Sequence, residues 1–201
     1  MAMRRLLTAG LVIALFGCGT EQGEPEPVES KPAEQLDREA TAEHENIGSK
    51  AAMVLLSNGF AYRVAGGTSN EEVGFDIRRE TVERISRQQF GEPTSRNTNE
   101  ECGAGPMSFT RYGPLTFNFQ DGRLVGWFLE AGGDLATGDG VKPGVTAFAD
   151  LEPERSASMV GDSTLDGEFH YVSADGGEIG GFVGEDGTIT SLYTGTNCFF
   201  R

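Results

Sequence analysis

Three cysteines and two histidines are the side chains of this chain best suited to covalent or metal chemistry: Cys18, Cys102, Cys198, His44 and His170. Cys102 stands in ECGAGP, residues 101–106, among glycines and close to Pro106. Such a loop can present a reactive thiol or hold half of a disulfide. A catalytic thiol wants a basic neighbour to lower its pKa, whereas the adjacent Glu100 and Glu101 would raise it. His44 lies in an acidic, proline-bearing stretch. His170 sits in EFHYV, where strand alternation sends Phe169 and Tyr171 to the opposite side. No C-x-x-C pair of the zinc kind exists. Asp134, Asp139, Glu178 and Asp186 fall in glycine-rich turns without a D-x-D-x-D-G loop, so they read as turn formers rather than calcium ligands. Glu152 and Glu154 flank Pro153 in what reads as an exposed loop, and no G-x-S-x-G elbow accompanies His170. These residue types therefore predict no catalytic set, no metal and no cofactor.

Cys18 has a different context. Arg4 and Arg5 precede an apolar run, Leu6–Phe16, and Gly17-Cys18 follows. This is the pattern of a signal segment, too short for a bilayer, which takes roughly 20 apolar residues. The ending Leu15-Phe16-Gly17-Cys18 resembles a bacterial lipobox. The resemblance implies a signal peptide over residues 1–17, cleavage before Cys18 and acylation of Cys18. Two or three acyl chains anchor stably. Gly19 after the cysteine implies the outer membrane, with the protein facing the periplasm.

Residues 18–46 read as an acidic tether. Between Gly19 and Asn46 there are nine acids against Lys31 and Arg38, with Pro25, Pro27 and Pro32 and almost no large apolar residue. Such a segment cannot offset the entropy of ordering. Residues 47–201 then make one domain, with halves of about 47–131 and 132–201. Residues 121–201 carry fourteen acids against four bases, within a whole-chain net charge of −15. So acidic a surface repels phosphates, which argues against nucleic acid as a partner. With Cys18 acylated, two cysteines remain, and in an oxidising compartment an even remainder is usually paired. A Cys102–Cys198 disulfide is expected, closing a loop of 97 residues.

Turns of Asp-Gly or Asn-Gly recur at 58–59, 121–122, 139–140, 166–167, 175–176 and 186–187, and they mark hairpins. An α+β domain follows: mostly antiparallel sheet, few short helices. In residues 115–130 a turn at Asp121-Gly122 would set Gln120 against Arg123, Phe119 against Leu124, Phe117 against Gly126 and Leu115 against Phe128. In residues 180–195 a turn at Asp186-Gly187 would set Gly184 against Ile189, Phe182 against Ser191 and Gly180 against Tyr193. The two hairpins superpose at an offset of 65 residues, an internal repeat. Helices are expected at 77–90, capped by Asp76 and ended by Gly91, and at 145–151, stopped by Pro153. Segments 53–64 and 71–75 read as additional strands. Two tandem helix–antiparallel-meander halves would thus form one sheet.

That register puts Arg123, Val125 and Trp127 on the less apolar face, matched in the second hairpin by Leu192. Trp and Arg are enriched at binding hot spots. This face is the candidate site for a protein partner; alternatively, Trp127 is covered by the N-terminal strands or by the other half's sheet.

The order of FDIRRETVERI, FGEP and a meander ending in FQDGRLVGWFL resembles the helix–sheet repeats of β-lactamase-inhibitor-type proteins and of outer-membrane-assembly lipoproteins. In the inhibitor-type proteins the sheet face is the binding surface. ECGAGP, FQDGRLVGW and TNCFFR also resemble a group of uncharacterised bacterial envelope lipoproteins, some of which carry an aspartate-semialdehyde dehydrogenase label. The residues do not support that label. There is no G-x-G-x-x-G turn, Cys102 has no histidine beside it in sequence, and about 155 residues are too few for a cofactor domain and a substrate domain. The expectation is a membrane-anchored lipoprotein with a non-catalytic binding or envelope-assembly role. A small periplasmic enzyme with an unrecognised site and a purely structural envelope protein are the alternatives.

Overall fold

The computed structural model describes residues 53–64 and 66–199. Cys18, His44, the signal peptide and the tether lie outside the described residues, as do the side chains of Glu152 and Glu154. The elements run β1 (Met53–Leu56), β2 (Gly59–Arg63), β3 (Asn70–Gly74), α1 (Arg79–Phe90), β4 (Ser95–Asn99), β5 (Met107–Tyr112), β6 (Leu115–Gln120), β7 (Arg123–Glu130), α2 (Phe148–Arg155), β8 (Ser158–Met159), β9 (Glu168–Val172), β10 (Glu178–Val183) and β11 (Ile189–Gly195). There are two antiparallel sheets. The larger has eight strands in the order β4-β5-β6-β7-β11-β10-β9-β8; the smaller is β1-β2-β3. The single sheet expected from the sequence is therefore two. The N-terminal strands close a meander of their own, because Phe60, Tyr62 and Val73 join the core from a second layer.

One buried cluster joins these layers. It draws Leu55 and Phe60 from the small sheet, Val82 and Ile85 from α1, Leu151 from α2, and Phe117, Trp127, Leu192 and Phe169 from the large sheet. One face of the large sheet is thus covered. Alternation leaves the opposite side chains on an open face.

Which residues reach which face depends on two β-bulges. In the β6–β7 hairpin the pairing begins as the turn dictates, with Gln120 opposite Arg123 and Phe119 opposite Leu124. It then slips by one residue, so Asn118 faces Gly126, Phe117 faces Trp127 and Leu115 faces Leu129. Val125 is the extra residue. Its carbonyl is turned aside to accept the Thr196 N–H at 2.7 Å. In the β10–β11 hairpin, Phe182 faces Ser191 but Val183 faces Ile189, which leaves Thr190 extra. Its carbonyl accepts the Ala131 N–H at 3.0 Å. A bulge reverses every alternation beyond it. Trp127 and Leu192 therefore point into the core, and Phe128, Phe182 and Tyr193 point to the open face.

Helix boundaries also differ from expectation. α1 begins at Arg79 with Arg78 as its cap, and Asp76 makes no cap. Residues 76–79 are instead paired with the hairpin tip, where Asp76 N donates to Leu124 O and Arg79 N to Gly122 O. α2 starts three residues later than expected and carries Pro153 inside it, with Ser156 in the left-handed conformation at its end. Ahead of it Ile189 N donates to Thr146 O, and Phe148 N donates to Gly187 O.

Candidate functional site

The binding face expected around Trp127 is not formed. Trp127 and Leu192 are fully buried, and Trp127 Nε1 donates to Leu56 O at 2.9 Å under the small sheet. Arg123 is exposed but committed to the start of α1, with Nη1 donating to Asp76 O at 2.6 Å. Val125 is the half-buried bulge residue. The bulge at Val125 turns Trp127 inward, and the bulge at Thr190 does the same to Leu192.

The open face of the large sheet carries a different aromatic set. Tyr193 on β11 lies beside Phe128 on β7 and opposite Gly180 on β10. The chain after β11 then runs back over this face as a strap. Asn118 Nδ2 holds it by donating to Thr196 O at 3.0 Å and Asn197 Oδ1 at 2.8 Å, and Asn197 Nδ2 donates to Thr194 O at 2.9 Å. The Sγ atoms of Cys102 and Cys198 lie at 2.07 Å, disulfide distance, with 5.1 Å between their Cα atoms. Asn99 Nδ2 lies 3.4 Å from Cys198 Sγ. Fastened in this way, Phe199 stacks edge-on against Tyr193 at 4.8 Å, Phe182 at 5.6 Å and Phe128 at 6.2 Å between ring centroids.

Between this strap and β4–β5 lies a groove of about 330 Å³. Its walls include Phe109, Phe128 and Phe199, with Thr116, Asn118 and Cys198. The amide nitrogens of Asn99, Asn118 and Asn197 are already engaged by the strap. What the groove offers is mainly phenyl surface, with the Thr116 hydroxyl as a polar handle. Its volume lies at the small end of ligand-pocket sizes. It suits a single apolar side chain or ring better than a charged group, because burying a charge without a partner is costly.

A second cluster lies on the same face. Tyr193 Oη donates to the buried Glu168 carboxylate at 2.5 Å, and the Ser163 hydroxyl donates to the other Glu168 oxygen. His170 stands between Tyr193 Oη, 3.4 Å from Nε2, and Glu178, 3.2 Å from Nδ1. Sequence reading gave His170 no partners, since Tyr193 and Glu178 are brought to it only by register. The arrangement could pass a proton between groups, but His170 is not among the groove's lining residues. Among the described residues no group of three or more His, Cys, Asp or Glu side chains is placed to hold a metal ion.

On the covered face, Glu83 of α1 is the focus of a separate network. It accepts from Arg96, Arg79 and Thr110, which ties α1 to β4 and β5. The Arg96 guanidinium, helped by Thr110 and Arg79, outweighs the cost of burial and lowers this carboxyl to about 2. That is a structural tie.

Sequence reasoning missed Phe128, Phe182, Tyr193 and Phe199 as site residues. A signal was present: Gly126, inside an otherwise apolar strand, stands beside the bulge. A Cβ there would meet Thr196 O at 2.5 Å, so the close crossing of the strap demands glycine. Comparison of the chain with protein-family models, with curated proteins and with solved structures finds no match.

Proposed function

We infer that this chain is a lipid-anchored protein of the bacterial envelope that binds a partner through the open face of its large sheet. The anchor is Cys18, acylated after signal cleavage, and residues 18–46 serve as spacer from the outer membrane into the periplasm. The lipobox-like Leu15–Cys18 segment supports the anchor. The observation that carries the binding role is the cluster of half-exposed rings, Phe109, Phe128 and Phe199, around one groove beside the C-terminal strap on this sheet face. Rings held this way present apolar area at little entropic cost.

The fold is read as two tandem helix–meander halves joined through β7 and β11, which supports the likeness to inhibitor-type and outer-membrane-assembly repeats. The two bulges support the repeat. Val125 and Thr190 stand 65 residues apart, and so do Ala131 and Thr196, which donate to their carbonyls crosswise.

Photocrosslinking in cells from positions 109 and 128 tests the binding role. A specific partner should be trapped at both and lost when Phe199 is replaced by Ala. No product above that from buried position 117 at either site would remove the binding role and leave a purely structural one. Mass spectrometry of the mature protein tests the anchor: an acylated Cys18 is expected, and an unmodified mature N-terminus elsewhere refutes it.

A second reading, a small periplasmic enzyme, draws on the Glu168–Tyr193–His170–Glu178 chain. It requires that His170→Ala abolish a turnover which Phe128→Ala leaves intact.

A further inference from the structure

The large sheet ends at β4, whose only described neighbour is β5. Sheet ends are usually guarded against an added strand by charge, proline, shortness or a covering segment. The other sheet ends among the described residues follow this rule. β8 is two residues long. β3 carries Glu71 and Glu72. β1 is covered, for Leu55 N donates to Ala136 O and Leu55 O accepts from Gly138 N. β4 has none of these guards. It reads SRNTN over five residues, and its one charge, Arg96, is drawn toward α1 by both oxygens of Glu83. An antiparallel strand with a single partner aims alternate N–H and C=O groups outward.

The groove adjoins this edge. Asn99, the last residue of β4, is one of its walls, and Phe109, another wall, pairs with Asn97. Alternate side chains of an added strand would fall on the same open face. Charge restricts what that strand can be. Exposed Glu92 precedes β4 and exposed Glu100 and Glu101 follow it, while the basic groups at this edge, Arg96 and Arg111, are paired with Glu83 and Glu130.

We propose that β4 accepts an extended basic segment of a partner protein as a further strand, with one apolar side chain of that segment packing against the end of the groove formed by Asn99 and Phe109. This rests on the open-face reading above. Backbone pairing would supply affinity, the groove would select the side chain, and the three glutamates would select charge and speed the encounter.

The probe is a labelled seven-residue peptide of alternating lysine and threonine with a central phenylalanine, titrated against the oxidised protein. Binding should weaken as salt rises. It should fall at least tenfold when the lysines become glutamates or the phenylalanine becomes alanine, and hydrogen exchange in β4 should slow in the complex. One of two adjacent strand residues aims its N–H outward. Asn97→Pro or Thr98→Pro, whichever keeps the native circular dichroism spectrum, should therefore lower affinity at least tenfold. Glu100→Lys combined with Glu101→Lys should weaken the basic peptide without touching the backbone.

No binding at millimolar peptide, equal binding of the acidic peptide, or binding without protection of β4 would overturn the proposal. So would self-association in sedimentation that proline in β4 abolishes, which would make the occupant a second copy of this chain. Crosslinks from Phe128 with β4 unprotected would sink strand addition but keep the open face. Protection of β4 with no crosslink from Phe128 would sink the open-face reading on which the proposal stands.

Discussion

The ring of Tyr193 lies over the backbone of Gly180, so close that a Cβ at position 180 would stand 2.4 Å from Tyr193 Cζ. On the other face the ring of Phe169 covers Gly181 in the same way, at 2.7 Å. Each glycine is a gap in β10 that an aromatic ring from a neighbouring strand fills. Gly180→Ala should therefore destabilise the fold by about 1–3 kcal/mol, the usual cost of overpacking. It should also push Tyr193 off Glu168. Gly103→Ala, with open space where its Cβ would go, should change stability by less than about 0.5 kcal/mol. Urea denaturation of the two variants checks this, and equal effects would mean that the ring is not seated on Gly180.

Trp127 is the chain's single tryptophan, so its emission reports its burial directly. The native spectrum should be blue-shifted and almost insensitive to iodide, and it should move to long wavelength on unfolding. Trp127→Phe should cost about 1–3 kcal/mol, since Leu56 O loses its donor in a partly buried place and the smaller ring leaves the core less well filled. A red-shifted, quenchable native spectrum would return Trp127 to the surface.

Glu83 makes stability depend on acid. Its carboxyl is lowered from 4.5 to about 2 in the fold, with Arg96 the first cause. A depressed acid stabilises fully above its unfolded value. The contribution is present at neutral pH and is lost as pH falls from about 4.5 to about 2. Glu83→Gln should cost about 3 kcal/mol at pH 7, because Arg79 and Arg96 lose their shared partner. The same variant should flatten the stability profile below pH 5. Chemical denaturation from pH 2 to pH 7 measures both, and a parallel profile in the variant would assign the acid transition to other groups.

The Cys102–Cys198 bridge spans a sequence separation of 96 residues. Closing so long a loop is worth about 4–5 kcal/mol in the chain-entropy model. Cys102→Ala with Cys198→Ala should lower the urea midpoint accordingly and should also loosen Phe199 from Tyr193. Non-reducing peptide mapping of exported protein should find the two peptides linked, and two free thiols would refute the bridge.

Much of the architecture is legible in the residues. Asp121-Gly122 marks its hairpin because both residues take the positive φ that so tight a turn requires, whereas Asp186-Gly187 falls in a longer loop closed by Gly184 N donating to Thr188 O, so Val183 rather than Gly184 faces Ile189. The apolar spacing of Val82 and Ile85 marks α1. The site was not legible, for a local reason. Bulges are set by where a carbonyl finds its donor, and the donors here, Thr196 and Ala131, stand far from Val125 and Thr190 in sequence. One slipped residue exchanged Trp127 for Phe128 on the open face. His170 was likewise unreadable alone, since Tyr193 and Glu178 reach it across strand pairings. Nor could periodicity reveal that Leu55 would take Ala136 and Gly138 as partners and so turn the N-terminal strands into a second layer.

Cys198 follows all the described strands in chain order, yet it walls the groove and anchors the strap that carries Phe199. The sheet can therefore assemble before its open face has its finished shape. Until the chain has been made past residue 199, the rings of Phe128, Phe182 and Tyr193 stand without Phe199 against them, and the bridge then reinforces a strap that Asn118 already holds. The bridge thus secures this face last. A molecule with both thiols reduced would keep its strands but hold Phe199 less firmly on that face.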